Sequence, residues 1–377
     1  MLAVRVLALV AGAVLVVETL LSAVRTVVLP RAEYSWLTRT HFVMLRKGFD
    51  LFARPSRPYA ARDRVLAMYA PIGLVTLPFV WVSLITAGFA GVYWGCGIEP
   101  FSEAFVLSGS SVTTLGFARP EDAWIDIFAF MQAGVGLGIV GLMISYLPSI
   151  YNAFERREAG VSMLEVRAGL PPSSSELFVR YSRINRLDNL EDDVFERFED
   201  WFIDVEESHT SQPALVFFRS PHPDRSWITA AGVVLDSAAL RIALIDAPRD
   251  GRVDVTIRTG FVALRRIADY FEMPYDRDPN PGDAISVTRR EFDELVDELR
   301  NAGVPLKPDL DRAWADFNGW RVNYDAVLVG LSALVIAPPT RWISDRPTSG
   351  RRFQPTLMPH AVRRMRALQR KKTDDRE

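Results

Sequence analysis

One cysteine, Cys96, is all the thiol chemistry this 377-residue chain holds, which excludes an intrachain disulfide and any cysteine-based zinc cluster. Lysine is nearly as scarce. Of 44 basic residues only Lys47, Lys307, Lys371 and Lys372 are lysine, a bias expected of a GC-rich bacterial genome. The net charge is −2, and no nucleic-acid partner is expected. Ser/His/Asp triads, clustered metal ligands and phosphate-cradling turns are missing as well, so the expectation is no enzyme, no catalytic residue and no cofactor.

What is there falls into two unlike halves. From Leu2 to Phe154 apolar runs dominate, whereas from Glu155 onward charges recur every few residues, so the boundary reads as a change of solvent. Three runs, roughly Leu2–Val24, Val65–Tyr93 and Trp124–Tyr151, reach the ~20 apolar residues that a hydrocarbon core requires. The first is read as a span, not a signal peptide, because Glu18 interrupts it and no Ala-x-Ala site follows. Glu18 should face protein or water. Nine cations, including Arg39, Arg46, Lys47, Arg54, Arg57 and Arg64, lie between the first two runs, and Arg119 stands alone between the next two. The positive-inside rule then puts the amino terminus outside and the large C-terminal half inside a bacterial plasma membrane. Within the basic loop, Phe42, Leu45, Phe49 and Phe52 alternate with Arg46 and Lys47, which suits a helix on the membrane surface or one packed against the spans.

Between the second and third runs, Phe101–Phe117 is too apolar for an exposed loop and too short to span. A half-membrane helix with a return is the natural reading. Its end, Thr113-Thr114-Leu115-Gly116-Phe117, can aim successive carbonyls at an axis, with Gly116 taking backbone angles a Cβ would oppose and Thr114 adding a hydroxyl. Irregular backbone at membrane depth needs partners around it, which one chain cannot supply.

These residues resemble the Thr-Thr-Val-Gly-Tyr-Gly signature of the potassium channel family, placed as in its two-span pore module. Thr26–Arg31, Tyr146–Pro148, Arg156–Glu158, Glu207–His209 and Phe218–Ser220 also resemble a bacterial group of ion-channel proteins with an extra leading helix and a helical tail. The resemblance implies an all-α membrane protein and a passive homotetrameric cation channel, with K+ as the conducted ion and no other metal. It divides the chain into a leading helix (1–29), a basic cytoplasmic loop (30–64), a pore module (65–154), a helical cytoplasmic domain (155–340) and a basic tail (341–377). Within the pore module it implies an outer helix at 65–93, a pore helix and filter at 101–118 and an inner helix at 124–151. The implied filter is Thr113, Thr114, Leu115, Gly116, Phe117 and Ala118, with ion sites on the carbonyls of Thr114 to Phe117.

Ala118 stands where the family has its second filter glycine, and Arg119 where it has an aspartate. A distorted outer filter with weak discrimination against sodium is expected, and a non-conducting sensor or scaffold with the pore fold is the alternative. Pairing of Arg119 with Glu121 or Asp122 would relieve the repulsion of cations at the outer mouth.

Gly134-x-Gly136-x-Gly138-x-x-Gly141 lies inside an apolar run with no preceding strand, so it is no dinucleotide site. Gly138, then Gly134, are the candidate gating hinge, with Pro148 bending the helix below. The alternative is close helix packing. In the C-terminal half, Asn189–Glu207, Trp227–Ile245, Thr256–Met273 and Val287–Ala302 read as helices, with Thr288 and Glu291 a capping box and Gly303 a stop. Ala326–Ala337 reads as a buried helix, Asp188–Glu207 as a solvated acidic face, and His209 and His222 as hydrogen-bonded, not metal-binding. The basic loop and the tail can both attract anionic inner-leaflet lipid.

Overall fold

The computed structural model describes residues 2–29, 35–120 and 122–346, and these are all-helical, with a single isolated bridge between Ile245 and Leu306. α1 (Leu2–Val27) is built from Ala, Leu and Val and presents two different sides. Gly12, Val16, Thr19 and Ala23 are buried against α4 (Tyr69–Gly95), while Val10, Val14, Val17 and Leu21 are exposed. The contact is close enough that a methyl at Gly12 would run into the Gly88 carbonyl, and one at Gly88 would come within 2.7 Å of the Val16 side chain. Small residues at such a crossing are how helices associate in lipid, where apolar burial gives little drive. Glu18 is exposed, turned away from α4, so among the described residues it is not sheltered.

Two short helices, α2 (Trp36–Phe52) and α3 (Tyr59–Ala67), connect α1 to α4. Met68 interrupts the second apolar run, so residues 65–67 close α3 and the long helix starts at Tyr69. α5 (Phe101–Val112) then packs between α4 and α6 (Ala123–Ala168). α6 is 46 residues long and continues through residue 154 without a break. The change in composition there marks a change of surroundings only. α1, α4 with α3 before it, and α6 are long and apolar enough to cross a membrane.

The C-terminal half packs α7 (Ser174–Arg183), α8 (Glu196–Ser211), α9 (Trp227–Ala243), α10 (Gly251–Tyr270), α11 (Arg289–Asn301), α12 (Leu310–Arg321) and α13 (Asp325–Val335) into one core. α9 runs through its centre and is buried on almost every side. α13, over the apolar run at 326–337, contributes Leu328 and Leu331 to the same core. Thr288 caps α11, accepting from the Glu291 N–H at 3.3 Å while Glu291 accepts from the Thr288 N–H at 2.8 Å, and Gly303 at φ +75° follows the helix end. Arg321 is fully buried, ion-paired with Asp236 and with Asp325 at 2.8 Å. Burial pushes the Asp236 carboxyl up, opposed by that guanidinium. The acidic stretch is more than a solvated face. Glu191, only 3 % exposed, meets Arg241 at 2.7 Å, and Asp193 meets Arg186 at 3.1 Å.

Candidate functional site

α5 ends at Val112 with Thr113 as its C-cap, Thr114 turns left-handed, and the chain folds back around Ser110. The Ser110 carbonyl accepts from the Leu115 N–H at 3.0 Å, and its hydroxyl accepts from the Ala118 N–H at 3.1 Å. Between them φ is +57° at Thr114 and +66° at Gly116, but not positive at Leu115 or Phe117. Backbone that alternates in hand gathers successive N–H groups on one side and leaves the carbonyls to the other. Among the described residues, no hydrogen bond reaches the carbonyl oxygens of Thr114, Leu115, Gly116 or Phe117. The alternation stops at Ala118, whose φ is not positive; an L side chain resists the left-handed turn a glycine would make there. The Thr114 hydroxyl turns back, donating to the Thr113 carbonyl at 2.7 Å. Leu115 and Phe117 are 70 % and 69 % exposed, so this protomer covers neither.

Behind the loop sits a polar cluster that joins three helices. Gln132 of α6 is fully buried; its amide nitrogen donates to the Ser108 carbonyl at 3.0 Å and meets the Ser108 hydroxyl at 2.7 Å. Its amide oxygen accepts from the Tyr93 hydroxyl of α4 at 2.9 Å, and the Ser108 hydroxyl donates to the Thr86 carbonyl at 2.8 Å. Every polar end of the glutamine is thereby satisfied, as an amide in an apolar surrounding must be.

Just after the loop, the Arg119 side chain is 80 % exposed and pairs with Asp126 of α6 at 3.2 Å, not with Asp122. Asp122 precedes the helix, whereas Asp126 in its first turn points back toward the loop. Glu121 lies outside the described residues, as do residues 347–377 of the basic tail. The glycines of α6 divide by face. A methyl at Gly136 would collide with the Val112 carbonyl of α5, whereas one at Gly134, Gly138 or Gly141 would meet open space. Gly134, Gly138 and Pro148 all lie on an exposed face, with Pro148 inside the helix.

Further along α6, two stretches far apart in sequence, 157–158 and 209–218, meet at one guanidinium. Arg157 of α6 is 2 % exposed and donates to the carbonyls of Leu215 and Phe218, each at 2.8 Å, and to Glu158 at 2.8 Å. The buried ring of His209 lies 3.2 Å away, and Trp201 donates to the Arg157 carbonyl at 2.9 Å. Burial and the facing Arg157 together push His209 well below the usual histidine range. The next residue, Arg219, pairs with Asp63 of α3 and donates to the carbonyls of Val335 at 2.5 Å and Ile336 at 2.8 Å. The segment from Pro213 to Arg219 therefore holds the foot of α6 and the approach to α4 at once. Residues His222, Asp188 and Glu207 join no metal-binding group among the described residues.

Sequence reasoning singled out the loop, the glycines and the Arg157, His209 and Phe218 stretches, but missed Gln132 and Asp126. The available signal for Gln132 was a lone amide inside a membrane-length run. No protein-family model, curated protein or solved structure matches the chain.

Proposed function

We propose that the chain is the pore-forming subunit of a homotetrameric, potassium-channel-like cation channel that conducts passively. The observation that carries this reading is that no described donor reaches the carbonyl oxygens of four consecutive residues, Thr114 to Phe117. At membrane depth such oxygens need partners, and a dehydrated monovalent cation on the axis of four copies supplies them. The reading makes Thr113–Ala118 the filter, α5 the pore helix and α6 the inner helix. Its orientation puts the C-terminal domain in the cytoplasm. The carboxyl end of α5 places its negative dipole end beside the loop, which favours a cation there. Asp126 offsets the charge of Arg119, so four arginines at the outer mouth need not repel entering ions.

A non-conducting pore-fold sensor is the second reading, favoured by the end of the alternation at Ala118. Liposome flux separates the two. The full chain should pass potassium and rubidium, with sodium only weakly excluded, and Gly116→Val should abolish flux while the tetramer survives, because φ +66° is hostile to a β-branched residue. Absence of flux under every voltage and pH tried, from intact tetramers, would leave the sensor.

A further inference from the structure

α2 is bolted across the feet of two membrane-length helices. The Thr26 and Thr38 hydroxyls lie 2.7 Å apart and those of Ser22 and Ser35 2.6 Å apart, joining it to α1. His41 sits 3.1 Å from the Gly73 carbonyl, and the Tyr69 hydroxyl donates to the Phe42 carbonyl at 3.1 Å, joining it to α4. Phe42, Leu45 and Phe49 fill the inward side. The opposite side is also apolar: Trp36, Met44 and Leu51 are 60 %, 68 % and 64 % exposed and lie within one arc of the helix, with Lys47 among them. Arg57 and Arg64 extend the positive charge toward α4. The acids nearby are occupied, Asp50 by Arg46 at 3.0 Å and Asp63 by Arg219, and Lys47, Arg57 and Arg64 have no carboxylate partner among the described residues.

We infer that this outward face of α2, with the α3 approach, is a binding surface for anionic phospholipid of the inner leaflet, its apolar stripe in the acyl boundary and Lys47, Arg57 and Arg64 at the headgroups. The seat of the helix at the span ends fixes its depth. An apolar stripe rimmed by cations that no described carboxylate pairs has the chemistry of an interfacial helix on a negatively charged leaflet. The inference rests on the membrane placement and sidedness proposed above, but not on conduction.

The test is lipid retention by the full chain, reconstituted in vesicles of equimolar phosphatidylcholine and phosphatidylglycerol, extracted mildly and weighed by native mass spectrometry. The wild type should keep phosphatidylglycerol over phosphatidylcholine by about fivefold or more, the equivalent of one near-surface cation. Lys47→Gln with Arg57→Gln and Arg64→Gln should lose that preference, and the charge-keeping Lys47→Arg, Arg57→Lys, Arg64→Lys should retain it. No preference in the wild type, an unchanged preference in the glutamine variant, or its loss in both variants overturns the inference. Displacement of the lipid by millimolar glycerol phosphate would identify a soluble-phosphate site instead. Dissociation of the oligomer by Trp36→Ser with Leu51→Ser, with lipid retention intact, would give the stripe to a second copy. Lipid preference without ion flux would sink the channel and leave this surface standing; flux without lipid preference would do the reverse.

Discussion

Arg157 and His209 show how a buried pair of basic groups makes a domain sensitive to acid. His209 is neutral in the fold because burial and Arg157 both oppose a second positive charge, and Glu158 is already engaged by that guanidinium. Unfolded histidine takes up a proton below about pH 6.5, so the stability is fully present above that pH and is lost as pH falls, by up to about 1.36 kcal/mol per unit. Thermal unfolding in detergent between pH 7 and pH 5 should therefore steepen in the wild type relative to His209→Gln. Equal slopes would place the acid sensitivity elsewhere. At this scale the sequence was legible where backbone geometry is local, as in the positive φ of Gly116, and silent where it depends on a partner. Nothing in the run Arg119-Pro120-Glu121-Asp122 says that Asp126, a helical turn further on, holds the arginine. Gln132 likewise acquires meaning only when Tyr93 and Ser108 stand at its two ends.

Among the elements, α6 separates two uses of glycine that its sequence does not. Gly136→Ala drives a methyl into the Val112 carbonyl and should lower survival of the fold on heating, with an effect in the range of overpacking, about 1–3 kcal/mol per chain. Gly138→Ala meets open space in the protomer, so its cost falls on bending instead, about 1 kcal/mol per subunit in a bent state. Paired measurements of open probability and heat survival check this: on the proposed channel reading, Gly138→Ala should favour the closed state and spare the tetramer. A tetramer lost with Gly138→Ala, and unchanged opening in what remains, would make it a contact between copies. The helices themselves were largely readable, because amphipathic spacing and the Thr288 box are local signals. The end of α6 was not, since hydropathy reports the solvent around a helix and says nothing about where its hydrogen bonds stop. The acidic face misled for a related reason: charges at Glu191 and Asp193 look solvated until α9 and the α7–α8 connection bring Arg241 and Arg186 beside them.

At the scale of the whole molecule, the described residues leave large apolar side chains exposed. Among the described residues, Leu115 and Phe117 lie open, a methyl at Gly134 or Gly138 would meet open space, and Pro148 and Glu18 are exposed. Crosslinking in native membranes should give a four-chain species, and a ladder that ends at monomer would remove the proposed pore. Three apolar runs made the membrane plan legible from composition, but the way the C-terminal domain grips the spans was not, because Arg157 and Arg219 look like any surface arginine in sequence. That grip turns α6 into a lever. About 28 Å of helix separates Gly138 from Arg157 at 1.5 Å per residue, so a bend of about 10° at Gly138 sweeps the guanidinium through about 5 Å. Its hydrogen bonds to Leu215 and Phe218 are 2.8 Å long and cannot stretch that far. If Gly138 bends as the proposed gating hinge, the C-terminal domain is carried with the rod, and Arg219 passes the displacement to Asp63 of α3, the helix that leads into α4.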